Sequence, residues 1–345
     1  MKIQHDALRG YTEAIFAAAG CETVEAACVA RHLVGANLAG HDSHGVIRIP
    51  RYVQWLKEGK VVANQPPEVI LDGENMAVLD GKWGLGQSIG ETAVQMGIDK
   101  SASGVSVVAL RNVGHLGRIG DWPLMAAEAG RLSVHFVNTS GAGLLVAPFG
   151  GIERRLSANP FAVGIPVENG DHLILDISAC TIAEGKIRVA LNSGVQVPPG
   201  CIMDAEGNPT TDPADLKAGW ILSVAGHVGF GLALLVDGLT AALADSPIGR
   251  EIPLVHETDG PYHGSFFCLA IDPEAFGGAG AFSARIESLV GQIEEHPPRD
   301  PAEPVRWPGQ RGWEQAAENR QLGIPLDSRR WEELLEELRR FEVPV

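Results

Sequence analysis

The chain is poor in cysteine, in aromatic side chains and in positive charge, and each shortage argues against a class of protein. Its five cysteines (Cys21, Cys28, Cys180, Cys201 and Cys268) are odd in number, scattered, and form no CxxC pair. This argues against a disulfide scaffold and for reduced thiols in the cytoplasm. Lysine and arginine number 27 against 43 acidic residues, a net charge of −16. Without a basic stripe to neutralise phosphate, nucleic acid is not an expected partner, and an acidic surface disfavours anionic membranes. No apolar run approaches the roughly 20 residues that a bilayer span needs, and the N-terminus lacks a signal-peptide core. HExxH, paired CxxC and GxSxG are also missing. His41-Asp42-Ser43-His44 does offer ligand-type side chains. Adjacent ligands in one loop rarely close a site without distant partners, so no metal is expected.

What is present is glycine, 42 residues of it, in a chain whose 45% apolar and 20% charged content is ordinary for a globular protein. So many glycines imply tight turns and close backbone approaches. At 345 residues the chain exceeds one compact core, and more than one lobe is expected.

Apolar spacing predicts two helices over residues 5–39, a polar loop at His41–Gly45, and a helix over 51–58. Paired strands over 69–80 turn at Asp72-Gly73. A helix then runs to about Lys100, followed by a strand at 104–110, a helix at 121–130 and a strand at 132–138. Further strands are expected at 161–166, 173–177 and 265–271. Residues 227–244 read as an apolar core helix, 282–295 as another helix, 297–310 as a Pro-rich extended arm, and 328–341 as an amphipathic helix. The alternation implies an α/β core with helical additions at both ends. It divides into an N-terminal helical region (1–75), an α/β cofactor- and substrate-binding core (76–296), and an arm and C-terminal helix packing back on the N-terminal region (297–345).

Gly84-Leu85-Gly86-Gln87-Ser88-Ile89-Gly90 imitates a dinucleotide-binding turn. Its spacing is GxGxxxG, however, and the following strand ends in Arg111-Asn112 instead of an acidic ribose ligand. A glycine turn for close helix packing is the better reading, so a nicotinamide cofactor would need another architecture.

Two histidine loops carry the chemistry. In the first, Ser43 and His44 form a pair able to pass a proton. Arg48 lies four residues beyond His44, on the same face if a helix has begun there. That set supplies an acid/base and a carboxylate clamp. The alternative is a helix start capped by Ser43 with His44 and Arg48 on its surface. The second loop, Asn112–Arg118, places His115 just beyond a strand, where ligands of open α/β sheets lie; a structural turn histidine is the alternative. Lys186 after a glycine could meet phosphate or polarise a carbonyl, or be a solvated lysine. Gly226–Gly231 precedes the most apolar helix with backbone N–H groups that could face an anion.

Taken in order, SHGVIRIPRY, GLGQSIG, NVGHLGRIGDW, VAPFGGIERRLSANPFAVGIP, LDISACTIAEGKIRVA, PTTDPADL, GHVGFGLALLVD and WPGQ…ENRQLGIPL resemble the malate/L-lactate dehydrogenase family of the second type. That family includes L-sulfolactate and ureidoglycolate dehydrogenases and Δ1-piperideine-2-carboxylate reductases, and the match runs from about residue 5 to 340. The resemblance implies a non-Rossmann NAD(P)-binding α/β fold of the L-sulfolactate dehydrogenase type, acting as a homodimer on a small carboxylate substrate. It implies that His44, backed by Ser43, and His115 are the acid/base candidates, with Lys186 close by. Arg48 binds the substrate carboxylate, and Ala158, Glu184 and Gly185 lie near the substrate. Cofactor contacts fall at His115, Gly117, Gly120, Thr139, Ser140, Asp176, Ile177, Ser178, His227, Val228, Pro308, Gly309 and Gln310, for NAD or NADP with NAD ahead.

This chain departs from the family's pattern at three of these places. Val228 stands where lysine is usual, Ser157-Ala158-Asn159-Pro160 replaces Gly-Thr-Asn-Pro, and Gln310 replaces a frequent glutamate. The expected reaction is reversible hydride transfer at C2 of a 2-hydroxy or 2-oxo acid. NADPH-dependent cyclic-imine reduction is the enzymatic alternative, and a silent binding relative is the non-enzymatic one.

Overall fold

Hydrophobic spacing assembles the N-terminal layer. A computed structural model describes residues 1–139, 143–168, 170–253 and 259–344. After a two-residue strand β1 (Lys2–Ile3), helix α1 (His5–Ala18) buries Leu8, Thr12, Ile15 and Phe16, residues that recur on one side at a helical period. Helix α2 (Thr23–Leu38) is buried along most of its length. Two single 3₁₀ turns, Asp42–His44 and Val46–Arg48, lead into α3 (Ile49–Lys57).

The sheet follows. Strands β2 (Glu68–Asp72) and β3 (Met76–Asp80) form a hairpin, and α4 (Gly86–Lys100) leads to β4 (Val105–Val113). Helix α5 (Asp121–Glu128) connects to β5 (Leu132–Thr139), then come β6 (Pro160–Ile165) and β7 (Leu173–Ser178). Helix α6 (Glu184–Ser193) and three two-residue strands, β8 (Ile202–Met203), β9 (Pro209–Thr210) and β10 (Trp220–Ile221), make a small excursion. Helix α7 (His227–Asp237) then returns the chain to β11 (Gly264–Ile271). Helices α8 (Ala279–Glu294) and α9 (Gln310–Leu322), strand β12 (Ile324–Pro325) and helix α10 (Ser328–Arg340) finish the described chain.

The seven-stranded sheet runs β2-β3-β4-β11-β5-β6-β7. Only the β3–β4 pair is parallel; every other neighbour is antiparallel. The late strand β11 slots between β4 and β5, and its near-total burial explains its apolar run, Phe-Phe-Cys-Leu-Ala-Ile. Strand β12 pairs with β1, and Leu334 and Leu338 of α10 join Ile3, Leu8 and Leu33 in one buried cluster, so the two chain ends share one apolar core. Burying each leucine contributes about 2 kcal/mol. Asp327 caps α10 by accepting from the Arg330 amide at 2.8 Å.

Three expectations need correction. The 227–244 segment is not a fully buried core helix: after α7 it passes into a π-helical turn at Gly238–Ala242. Val228, Leu234, Leu235 and Leu243 are each at least half exposed. Its apolar residues run all round the helix, but only one side meets the protein. Helix α6 (184–193) carries no expected element, because Gly185 and Lys186 in the first turn hide the Ile187/Ala190 spacing. Helix α9 was also missed. It buries only Ala316 and Asn319, so it carries no apolar stripe to read.

Candidate active site

The glycines of GLGQSIG serve packing. A side chain at Gly86 would overlap the His115 carbonyl, and one at Gly90 would lie 2.6 Å from the Trp122 ring. At Gly114 it would come within 2.7 Å of the Gly84 carbonyl. Helix α4 therefore sits directly on the loop after β4 and fixes where His115 stands.

The Ser43–His44 loop is held as firmly. Asn37 on α2 accepts from the Val46 amide at 2.8 Å and donates to the Asp42 carboxylate at 2.6 Å. Gly45 is required between them, since a Cβ there would overlap the Asn37 amide. Because Gly45 is extended (φ −88°, ψ −152°), no helix runs from His44 to Arg48, and the shared helical face does not form. The Arg48 Nε–H instead folds back to donate to the Ser43 carbonyl at 2.6 Å. Its terminal nitrogens have no hydrogen-bond partner among the described residues.

These two loops bring His44 and His115 together. Their rings stack with centroids 5.7 Å apart and planes 15° from parallel. Ser43 Oγ lies 2.9 Å from His44 Nδ1. His115 Nδ1 lies 2.7 Å from the Tyr52 hydroxyl and accepts from the Gly117 amide at 3.1 Å. Gln87 Nε2 donates to the Tyr52 oxygen and to the His115 carbonyl, both at 3.3 Å. An N–H arriving at Tyr52 from Gln87 turns the hydroxyl proton toward His115. Nδ1 therefore accepts twice, and the ring proton belongs on Nε2. Tyr52 and Gln87 were not singled out from sequence. The one signal was a glutamine inside a glycine turn, which is buried and therefore needs partners.

Both imidazoles are held uncharged. The protein packed around His44 lowers its pKa to about 3, with the Arg48 cation and His41 acting in the same direction. His115 is pushed well below the usual imidazole value by burial, then by Arg48 and His44. Tyr52 is raised by burial and stays a phenol.

Several of the remaining expected residues meet on neighbouring elements. A Cβ on Gly185 would touch Ser43 Cβ at 3.6 Å, so the first turn of α6 abuts the Ser43–His44 loop. Glu184 is bound there to Arg188 at 2.5 and 2.7 Å, while Lys186 is exposed. Gly120 donates its amide to Asp176 at 3.0 Å, and a side chain on it would strike that carboxylate. Burial raises the Asp176 pKa, with His41 and Arg118 pulling the other way. The Arg118 Nε–H is buried with no partner beside Gly120. Pro308 accepts from the Ile174 amide at 3.0 Å, and Gly309 packs on the Ile174 backbone. The Gln310 side chain lies 3.3 Å from the Trp307 amide. The arm therefore lies along β7, the strand that carries Asp176, Ile177 and Ser178.

Ala158, His227 and Val228 have other neighbours. Ala158 packs beside the cluster of Leu145, Ile187 and Ile221, and its neighbour Asn159 bonds to Ala233 and Asp237 on α7, each at 2.8 Å. His227 meets Phe149 edge-on at 5.9 Å, and Val228 is 58% exposed. Thr139 ends β5, paired with Gly264, and Ser140 lies outside the described residues.

Two neutral imidazoles stacked beside an arginine form a set that can hold a carboxylate and move a proton, as an oxidoreductase of small acids requires. The sequence profile of the malate/L-lactate dehydrogenase family matches residues 3–335. Hydroxycarboxylate dehydrogenase B of Escherichia coli O157:H7 is 37% identical over 341 residues, 98% of this chain and 93% of that protein. The structure of sulfolactate dehydrogenase from Methanocaldococcus jannaschii superposes with a TM-score of 0.91 at 29% identity, over 99% of this chain and 98% of that one. That of Δ1-piperideine-2-carboxylate reductase from Pseudomonas syringae pv. tomato superposes at 0.87 and 27% identity, over 98% and 99%. The chain belongs to the malate/L-lactate dehydrogenase family and is a pyridine-nucleotide-dependent dehydrogenase of 2-hydroxy acids.

Proposed function

We propose that the protein moves a hydride between C2 of a small 2-hydroxy or 2-oxo acid and NAD or NADP, with NAD preferred. The observation that carries this is the stacked His44–His115 pair beside the open end of Arg48. The guanidinium terminus receives the substrate carboxylate in a two-pronged bond. That fixes C2 and its oxygen against the imidazoles. His115, with its proton on Nε2, donates to the C2 oxygen and steadies charge as it develops there. His44 takes the hydroxyl proton on oxidation and returns it on reduction, its other nitrogen steadied by Ser43. Lys186 and the Glu184–Gly185 turn close the substrate side.

The nicotinamide, when bound, takes up or gives back the C2 hydride. The residues present suit such a cofactor: the partnerless Arg118 N–H beside Gly120 is a donor waiting for an anion, and the carboxylate of Asp176 can accept from ribose hydroxyls. Ile177, Ser178, Thr139, Ser140, His227, Val228 and Pro308–Gln310 complete the proposed cofactor path.

The exposed apolar side of α7 supports a homodimer, and the five free, buried cysteines support a reducing, cytoplasmic setting. No helix among the described residues is long and apolar enough to cross a membrane. The boundaries at 75/76 and 296/297 stand as our proposed division of the chain.

The test is thermal stability with NAD, NADH, NADP and NADPH taken separately, followed by turnover of 2-oxo acids and of piperideine-2-carboxylate. Cofactor at about 100 times its Kd adds roughly 2.7 kcal/mol, a readable shift. A shift with one redox pair and turnover of oxo acids is expected. Turnover of the cyclic imine alone would select imine reduction, and no shift with any cofactor would overturn the proposal.

A further inference from the structure

Away from the histidine pair, α2, α4 and α5 meet at a second cluster that the reaction does not use. Cys28 and His32 lie one helical turn apart on the same face of α2. Glu91 reaches them from α4, and the Cys28 thiol, a His32 ring nitrogen and a Glu91 oxygen all lie within 4.8 Å of one another. His32 Nε2 is 3.0 Å from Glu91 Oε1, and His32 Nδ1 is 2.9 Å from Asp121 Oδ2 on α5. Arg31 also contacts Glu91. Cys28 is buried, whereas the Glu91 side chain is 30% exposed, so the cluster opens to solvent on one side only.

We propose that Cys28, His32 and Glu91 form a three-ligand site for a Zn²⁺ ion, with water in the fourth position. One soft sulfur, one imidazole nitrogen and one carboxylate oxygen suit a borderline, tetrahedral cation. Bonds of about 2.0–2.3 Å place ligand atoms roughly 3.3–3.8 Å apart, which these side chains reach by small rotations. Asp121 supplies what a metal-binding histidine needs on its far nitrogen: an acceptor for Nδ1–H that fixes the ring with Nε2 toward the ion. Charge balances, because loss of one proton from the thiol and one from imidazolium leaves thiolate, carboxylate and neutral imidazole around a divalent ion. Binding therefore releases protons and strengthens as pH rises. The ion would tie the N-terminal layer to α4 and to α5, the helix that begins directly after the His115–Gly120 loop.

Arg31 separates this site from a plain ion-pair knot. It competes with the ion for Glu91, so Arg31→Ala tightens binding, while Asp121→Asn weakens it about 10–100-fold.

The experiment titrates the full-length, chelator-treated protein with Co²⁺, reading the thiolate-to-cobalt band in the near ultraviolet and the visible bands of tetrahedral cobalt, then displaces it with Zn²⁺. One equivalent bound with both signatures, both lost in Cys28→Ser and in Glu91→Gln, is the expected result. Binding without the thiolate band, or a band that survives Cys28→Ser, would mean an adventitious ion and overturn the proposal, as would no binding at all. Should Cys28→Ser fail to fold, loss of the tetrahedral bands in the more exposed Glu91→Gln decides.

Discussion

The two ends of one connection, α2 and the turns that follow it, hold partly buried histidines in opposite states. His32 sits between two carboxylates, Glu91 and Asp121, which raise its pKa well above the usual value despite burial. His44, twelve positions on, is lowered to about 3 by burial, with the Arg48 cation and His41 adding to it. Desolvation disfavours charge at both, so the sign of the neighbours decides the outcome. Without a metal ion, the first imidazole is a cationic tie between helices. The other becomes a neutral partner for a substrate oxygen.

Breaking that second environment has the largest expected effect. His115→Ala and His44→Ala should each lower kcat by about 10²–10⁴-fold, as expected for loss of a positioned proton donor or acceptor. Steady-state turnover of the best 2-oxo acid checks this, and near-normal kcat in one variant would leave the proton to the other histidine alone.

Arg48→Ala separates the two roles of the guanidinium. Losing charged hydrogen bonds worth about 1.5–3 kcal/mol should cut kcat/KM by roughly 10–100-fold. The same variant removes the cation that helps keep both rings uncharged, so the acid limb of the pH–rate profile should move up. A drop in kcat/KM with an unmoved acid limb would show that Arg48 binds substrate without tuning the histidines.

Stability against pH sharpens the contrast further. Where the folded imidazole is depressed, as at His44 and His115, the unfolded chain binds more protons once pH falls below about 6.5. Stability is then lost downward from that value, by about 1–2 kcal/mol for His44 by pH 5, with His115 acting in the same direction. His32 runs the other way: its contribution is complete below about 6.5 and disappears as pH rises through its raised folded value. Denaturant unfolding of His44→Gln should therefore show a flatter acid side, and His32→Gln a flatter alkaline side. Interchanged behaviour would reverse the assignment.

A smaller effect is expected from Gly45→Ala, which forces the Asn37 amide out of its place between Val46 and Asp42. Overpacking of this kind costs about 1–3 kcal/mol, and urea unfolding reads it. A neutral result would mean that the 43–48 loop relaxes freely and is not what positions His44.

Most of this arrangement was legible in the sequence because it sits in loops bounded by strong signals. His115 follows an uninterrupted apolar strand, and Ser43, His44 and Arg48 follow a helix, so local pattern located both loops and family resemblance gave them their roles. What escaped depends on partners far along the chain. Tyr52 lies 63 residues from the imidazole it orients and looks like any aromatic on an amphipathic helix. His32 reads as an ordinary helical polar residue until α4 and α5 bring Glu91 and Asp121 to it. The antiparallel insertion of β11 between β4 and β5 was equally hidden, since periodicity reports a buried strand and says nothing about its neighbours. The polar helix α9 lacked a stripe altogether.

The most direct test of the neutral pair is a titration of ¹⁵N-labelled histidine by NMR in the wild type, with His44→Gln, His115→Gln and His32→Gln giving the assignments. The account predicts that His44 and His115 stay uncharged well below the pH at which a free imidazole takes up its proton, with the His115 proton on Nε2, while His32 in chelator-treated protein keeps its proton well above that pH. Titration of His44 and His115 near 6.5, or a His115 proton found on Nδ1, would contradict it.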